Sequence, residues 1–287
     1  MPALLFGVSL STSAAPDADP VGRARTAEEL GFDFVSASDH PSGTHPTYET
    51  WTMLTWVAAA TSRIGIMSRV LSLPFRSPAL VAKMGESLNR FAGNRLILGL
   101  GAGAADPELR GFGLPVPTAR DKVDGLEDAL QIIRGVWRQP GFSYAGRVHA
   151  VTEAELEPKP QRAIPIWLGT FGPRALALTG RYADGWIPSL GYAGSGRLAG
   201  MRDVVLSAAR DAGRAPDAVT CALHLEVSVG QRAEDPDVVS GTPEEIAGRL
   251  SELIAAGFTA FSFSPAGPRP AGEQVEQLAA DVIPRLR

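Results

Sequence analysis

The chain has 287 residues and a formal net charge of −4, with 27 Lys and Arg residues against 31 Asp and Glu residues. Because that balance includes no block of basic residues, we expect no nucleic-acid partner. No apolar run approaches the roughly 20 residues that span a bilayer, and the start, MPALLFGVSL, lacks the cationic region of a signal peptide. The single cysteine, Cys221, lies in an apolar strand pattern, which favours a buried structural thiol in a cytoplasmic protein.

The length and the 45% hydrophobic content suit one large α/β domain. Strand patterns recur in alternation with helical ones, and the predicted strands are Leu4–Leu10, Phe32–Ala37, Ile64–Leu73, Arg95–Gly101, Ile164–Leu168, a short one restarting at Asp184, Val219–Val229 and Phe258–Ser264. The predicted helices are Pro20–Leu30, Thr47–Thr61, Pro78–Arg90, Ala119–Arg138, one beginning at Pro173, Arg197–Ala212, Thr242–Ala256 and Ala271–Leu286.

Eight such units predict a (β/α)8 TIM barrel, a single domain over residues 1–287 with a short excursion around 140–160. An open doubly wound sheet is the structural competitor, although it seldom uses eight regular units. In a barrel the functional residues lie where the strands end. No group of strand ends after Ser189 is distinctive enough to define a pocket.

The residues at the strand ends exclude several chemistries. Schiff-base chemistry needs a lysine on a strand, but the three lysines, Lys83, Lys122 and Lys159, all fall in helices or loops. The four histidines form no His-x-His pair and no carboxylate cluster, so we expect no catalytic metal. Asp39 and Glu226 are the only obvious pair of strand-end carboxylates, which leaves a glycoside hydrolase as a weak alternative.

The segment from Gly99 to Ala104 matches the dinucleotide-binding pattern G-x-G-x-x-G/A. A helix should begin inside that motif and a second strand should end in an acid about 20 residues later, and neither feature is present. The glycines alternate along a strand instead, which removes side chains from one face. We interpret this as room for a flat ligand, with tight packing at the barrel rim as the alternative.

Two further strand ends carry reactive side chains. Asp39 and His40 end the second strand, where His40 could donate or accept a proton and Asp39 could orient a ring; a purely structural histidine is the alternative. Arg69 lies inside an apolar run that is long for one strand. A bulge there would aim Arg69 into the pocket, whereas a side chain that simply reaches solvent is the competing interpretation.

The fifth strand leads through a glycine loop, from Gly169 to Gly172, into a helix that begins at Pro173. Such a helix start presents free N–H groups, which attract phosphate or carboxylate, and Arg174 lies in its first turn. A strand-to-helix turn without any ligand is the alternative interpretation.

Several of these windows together resemble the bacterial luciferase-like flavin and deazaflavin enzymes, and most of all the coenzyme F420-dependent oxidoreductases. The resemblance extends to about Ser189 and is strongest in the last of the matching windows, which are Gly31–Asp33 with Ser38–His40, Leu71–Arg76 with Pro78–Lys83, Asn94–Gly103, and Ile164–Trp167 through Gly172–Arg174 to Ala183–Trp186. The resemblance implies a (β/α)8 barrel, usually a homodimer, that binds its cofactor at the carboxyl-terminal mouth.

Carried onto this sequence, the resemblance implies a cofactor phosphate site at Gly101, Ala102, Gly103, Thr170, Phe171, Gly172, Pro173 and Arg174. It places Ser68, Arg69 and Val70 behind the deazaflavin ring and Asp39 and His40 beside its reactive carbon. The implied activity is hydride transfer between F420 and a small organic substrate. An FMN-dependent monooxygenase is the closest alternative, and a cofactor-binding protein without turnover is a remoter one.

Three departures from the family argue against glucose-6-phosphate as the substrate. Ala104 stands where the sugar-phosphate dehydrogenase branch has an acid, and Ser42-Gly43-Thr44 replaces an aromatic residue. The later strands also contain no lysine that could hold a phosphate. Because the chain is short for the superfamily, we expect any lid near strands seven and eight to be reduced.

Overall fold

The computed structural model describes residues 3–215 and 217–287, and over this range eight parallel strands close into a barrel. The barrel strands are β1 (Leu5–Ser9), β2 (Phe34–Ala37), β3 (Gly65–Ser68), β4 (Leu96–Gly101), β5 (Ile166–Leu168), β6 (Gly185–Trp186), β7 (Thr220–Val229) and β8 (Ala260–Pro265). Each strand pairs with the next along the chain, and β8 pairs back to β1. The predicted TIM barrel is confirmed.

The helices surrounding the barrel are α1 (Pro20–Glu29), α2 (Thr50–Ala60), α3 (Pro78–Phe91), α4 (Asp106–Gly111), α5 (Ala119–Arg138), α6 (Pro173–Tyr182), α7 (Leu190–Ala193), α8 (Leu198–Asp211), α9 (Pro243–Ala255) and α10 (Ala271–Gln277). The short helices α4 and α7 are absent from the sequence prediction. The last predicted helix is also shorter than expected, because the chain widens into a π-helical turn after Gln277 and then forms a 3₁₀ turn that contains Pro284.

Buried apolar side chains form two clusters. The larger cluster joins strand residues to helix residues and therefore lies between the barrel and its surrounding helices; it includes the stacked rings of Phe6, Phe261 and Phe263. The smaller cluster lies on the strands and the segment directly after β6, which places it inside the barrel; its members are Phe34, Met67, Trp167, Ile187, Ala222 and Ala260. The barrel interior is thus packed rather than open.

The segment between α5 and β5 contains an antiparallel hairpin of Phe142–Ala145 and Ala150–Ala154. Asp128 of α5 holds it in place, accepting hydrogen bonds from the backbone N–H groups of Val148 and His149 at 2.7 and 3.0 Å. None of the helices in the described part of the chain is both long enough and apolar enough to cross a bilayer.

Candidate functional site

The end of β3 forms the predicted bulge. Met67 pairs with Ile97 of β4, and Leu71 pairs with Leu100, so three residues of one strand lie opposite two of the other. The extra residue bends the strand and brings the Arg69–Val70 segment to the carboxyl-terminal mouth of the barrel. The peptide bond between Arg69 and Val70 is cis.

The alternating glycines of β4 accommodate this bulge. A Cβ atom at Gly99 would lie 1.8 Å from the carbonyl oxygen of Ser68, and one at Gly101 would lie 2.7 Å from Cγ2 of Val70. Both distances are shorter than any real contact. The tight-packing interpretation therefore holds at Gly99, where the bulge fills the space, whereas Gly101 makes room for Val70 and also lines the cavity at this mouth.

A cavity of about 370 Å³, hereafter the glycine chamber, opens at this mouth. The predicted site residues that line it are Asp39, His40, Arg69, Val70, Gly101, Ala102, Gly103, Thr170, Phe171 and Gly172. The two glycine loops after β4 and β5 thus face the same cavity. Three predicted residues do not line it, namely Ser68, Pro173 and Arg174. The Oγ of Ser68 is instead hydrogen-bonded to the backbone of Gly99.

Arg174 is held away from the chamber by an ion pair. Its Nη2 atom lies 2.6 Å from Oδ1 of Asp124, and this hydrogen bond holds the pKa of the Asp124 carboxyl below its usual range. Arg120 and Arg147 approach the same carboxylate at 3.4 and 3.2 Å. The start of α6 remains accessible, because Gly172 is its N-cap and has no side chain to satisfy the free N–H groups.

A second cation lines the glycine chamber besides Arg69: it is Lys122 of α5, which also pairs with Asp106. The sequence pattern predicts that this lysine lies on a helix and indicates no role for it. Lys122 lies four residues before the buried Leu126, so both share one face of the helix. That spacing is the feature of the sequence that indicates an inward-facing lysine.

Asp39 is buried, and both oxygens of its carboxylate accept hydrogen bonds. Its carboxylate accepts hydrogen bonds from both terminal nitrogens of Arg76, at 2.7 and 3.1 Å, and from the backbone N–H of Ser72 at 2.9 Å. Asp39 therefore fastens the end of β2 to the segment after β3. Because its oxygens are occupied, it is poorly suited to act with Glu226 as a hydrolytic carboxylate pair.

His40 has an orienting partner that the sequence analysis missed. Its Nδ1 atom lies 2.8 Å from Oε1 of Glu108, while Nε2 makes no hydrogen bond within the described residues. Glu108 belongs to α4, whose start has Pro107 and two acids in its first turn, a combination typical of helix starts. The pair fixes the ring and leaves one nitrogen for a ligand.

Arg69 is half-buried, and its Nη2 donates a hydrogen bond of 3.2 Å to Oγ of Ser9. Its Nε atom is buried and has no hydrogen-bond partner among residues 3–215 and 217–287. Burial lowers the pKa of Arg69 to about 10, although the Glu226 carboxylate acts in the opposite direction. Arg69 therefore stays cationic at neutral pH, and its side chain lines the glycine chamber, as the bulge interpretation expects.

A second cavity of about 410 Å³, hereafter the acidic chamber, adjoins the first and shares His40 and Arg69 with it. Its titratable residues beyond these two are Tyr192, His224, Glu226, Asp235 and Asp237. The expectation that no pocket is defined after Ser189 is wrong, because the loop after β7 brings two acids to the mouth from outside any predicted element. Burial, and then the nearby Arg69, lower the pKa of His224 well below its ordinary value.

Two predictions about special residues concern the rest of the chain. Cys221 is buried, and burial raises the pKa of its thiol, as expected for a structural cysteine. Across residues 3–215 and 217–287, no three His, Cys, Asp or Glu side chains are grouped as metal ligands would be.

Comparison with known sequences extends these observations. Residues 4–237 match the family described as luciferase-like monooxygenase. The F420-dependent glucose-6-phosphate dehydrogenase of Kineococcus radiotolerans is 28% identical over 91% of this chain and 90% of its own. The phthiodiolone/phenolphthiodiolone dimycocerosates ketoreductase of Mycobacterium bovis is 34% identical over 73% of this chain and 54% of its own.

Two solved structures share the fold. An F420-dependent secondary alcohol dehydrogenase in complex with an F420-acetone adduct has a TM-score of 0.88 at 20% identity, covering 99% of both chains. The oxygenating constituent of 3,6-diketocamphane monooxygenase from Pseudomonas putida, in complex with FMN, has a TM-score of 0.78 at 17% identity, covering 98% of both chains. The family match spans most of the chain and confirms the resemblance found in the sequence: this protein belongs to the luciferase-like monooxygenase family.

Proposed function

We propose that the protein is an F420-dependent oxidoreductase that transfers hydride between the deazaflavin and a small organic substrate. The observation that carries this proposal is the glycine chamber, in which Gly103 and Gly172 line one cavity together with His40 and Arg69. Its relatives named as F420-dependent enzymes support the choice of cofactor. The unpartnered, buried Nε of Arg69 is a polar atom that a bound cofactor could satisfy.

The residues fit such a cofactor, which supplies a flat two-electron carrier and an anionic tail. Ser68, Arg69 and Val70 form the bulge that backs the ring, and Arg69 stabilises negative charge on it. The loops of residues 101–103 and 170–172 bind the phosphate, helped by the free N–H groups at the start of α6 and by Lys122. Pro173 and Arg174 contribute indirectly, by shaping and fixing the first turn of that helix.

His40 moves the proton that accompanies the hydride. Its ring lines both chambers, and Glu108 holds Nδ1 so that Nε2 is left for the substrate. Asp39 positions His40 by fixing the end of β2 through Arg76. A cofactor-binding protein without turnover would have no use for this arrangement.

An FMN-dependent monooxygenase is the second candidate, supported by the family description and by the FMN-bound neighbour. Titrating the purified protein with F420 and with FMN, followed by fluorescence, separates the two. We expect F420 to bind tightly and FMN not to bind. Tight FMN binding, together with oxygen consumption when reduced FMN is supplied, would overturn the proposal.

A cytoplasmic homodimer is part of the same proposal. Trp56, Leu80 and Phe91 are large apolar side chains exposed on α2 and α3, two helices that pack against each other. Such a patch is typical of a subunit interface. Light scattering should give a dimer mass for the wild type and a monomer for Trp56→Glu; a monomeric wild type would refute the dimer alone.

A further inference from the structure

The charged side chains that line the acidic chamber are mostly carboxylates, and the cation near them is Arg69, which also lines the glycine chamber. Glu226 is exposed within a strand whose neighbouring residues are buried, so it faces the mouth. Asp235 and Asp237 accept only backbone N–H groups, those of Asp237 at 2.9 Å and Ser195 at 3.3 Å. None of these carboxylates forms an ion pair within residues 3–215 and 217–287.

His224 independently indicates a ligand. The residue is only 8% exposed and lines the acidic chamber, and its Nδ1 atom has no hydrogen-bond partner in the part of the chain that the structure describes. A buried polar atom without a partner is destabilising unless something else satisfies it. Because the ring is held in its neutral form by burial, it retains a nitrogen that can accept a hydrogen bond.

The charge of the chamber determines which ligand fits. Three carboxylates face one guanidinium, that of Arg69, which is half-buried and shared with the glycine chamber. A phosphate or carboxylate brought here would be repelled by the acids. An ammonium group, in contrast, offers three donors and a positive charge to a site composed largely of acceptors.

We propose that the acidic chamber binds the substrate as an organic cation, an amino alcohol or the corresponding amino ketone. Its ammonium group is held by Glu226, Asp235 and Asp237, and its carbinol or carbonyl carbon lies toward His40, where the two chambers meet. This inference rests on the proposed function and gives it a substrate class. A cationic substrate would differ in charge from glucose-6-phosphate, the anionic compound for which several relatives are named.

Three alcohols of similar shape test the proposal: 1-amino-2-propanol, 2-butanol and 3-hydroxybutanoate, which are cationic, neutral and anionic. Each is titrated into the F420-loaded protein and followed by ligand-observed NMR and by loss of F420 absorbance. We expect the amino alcohol to bind at least about tenfold more tightly than 2-butanol, with 3-hydroxybutanoate weaker still. Equal affinities, preference for the anion, or no binding by any of the three would overturn the proposal.

Matched variants locate the effect. Glu226→Gln keeps the shape of the side chain. It should reduce the ratio of the affinities for the amino alcohol and for 2-butanol by about tenfold. Glu234→Gln, on the loop that carries Asp235 and Asp237 but outside the chamber lining, should leave the preference unchanged. An unchanged preference in Glu226→Gln would also refute the assignment. Failure of F420 to bind would instead refute the proposed function, and the amino alcohol can be titrated into the cofactor-free protein to keep the two outcomes apart.

Discussion

The glycine chamber and the acidic chamber share one mouth but are built differently. The first is formed mainly by backbone, with glycine loops after β4 and β5 and a bulge that packs against Gly99 and Gly101 of β4. The second is formed by charged side chains on β7 and the loop after it. Backbone cradles suit the part of a ligand common to a family, whereas exposed side chains can change without disturbing the fold.

The contrast places the reaction at the boundary between the chambers. His40 and Arg69 are the two side chains able to carry a positive charge that line both cavities. A cofactor on one side and a substrate on the other would therefore meet at these two side chains. Variants can disturb the boundary between the chambers, the glycine chamber or the acidic chamber. We expect the largest effect at the boundary and the smallest in the acidic chamber.

Replacing His40 by Ala breaks the boundary. We expect turnover of 1-amino-2-propanol with F420 to fall by about 10²–10⁴-fold, the usual contribution of a positioned acid or base. F420 affinity should change little, because the loops that bind the phosphate are untouched. Absorbance assays and fluorescence titration measure the two quantities. A protein that only binds cofactor would show no turnover to lose.

Glu108→Gln is the control for this prediction. If Glu108 orients His40, the variant should lower kcat less than His40→Ala and should alter the pH profile of kcat, because the partner of Nδ1 is no longer a carboxylate. An unchanged pH profile with unchanged kcat would contradict the positioning role. Unaltered thermal stability would show that the loss is not caused by unfolding.

Gly99→Ala tests the backbone construction of the glycine chamber. Its Cβ would collide with the carbonyl oxygen of Ser68, so the bulge must move, and we expect a loss of roughly 1–3 kcal/mol in the free energy of unfolding. Urea denaturation measures it. Gly172→Ala is the matched control, because a Cβ there meets nothing within 4 Å. Equal stability of the two variants would contradict the tight packing described for β4.

Lys122→Met tests the charge of the same chamber while keeping most of the side-chain volume. We expect F420 to bind about tenfold more weakly, because one charge-assisted contact to the anionic tail is lost. Arg174→Ala is the comparison, since Arg174 pairs with Asp124 outside the chamber lining. Fluorescence titration decides between them. A larger loss in Arg174→Ala would restore the role that the sequence analysis gave to Arg174.

The sequence was sufficient for features that depend on local patterns. Apolar periodicity predicts the barrel, and an arginine in an overlong apolar run predicts the bulge at Arg69. Features that depend on pairing across the fold were not predictable in this way. The direction of Arg174 depends on Asp124, fifty residues away along the chain, and the partner of His40 lies on a helix too short to show periodicity.

The acidic chamber was the hardest to predict, since Asp235 and Asp237 lie in a loop without periodicity. Their position depends on where that loop returns to the mouth after β7. A loop acid is usually a solvated surface residue, and nothing in the local sequence distinguishes these two from Glu234. Only the closed barrel brings them to His224 and Glu226.

The smallest effect concerns the acidic chamber and its buried histidine. The pKa of His224 lies well below its ordinary value in the native state, so between these two values the unfolded chain binds more protons. The free energy of unfolding should therefore fall as the pH drops below about 6.5, the ordinary value for histidine. His224→Gln removes this titration, and we expect its stability to decrease by about 1 kcal/mol less than that of the wild type between pH 7.5 and pH 5.5. Urea denaturation at the two pH values measures the difference.

His45→Gln, at an exposed loop position, is the control and should behave like the wild type. If it matches His224→Gln instead, the pH dependence does not arise in the acidic chamber.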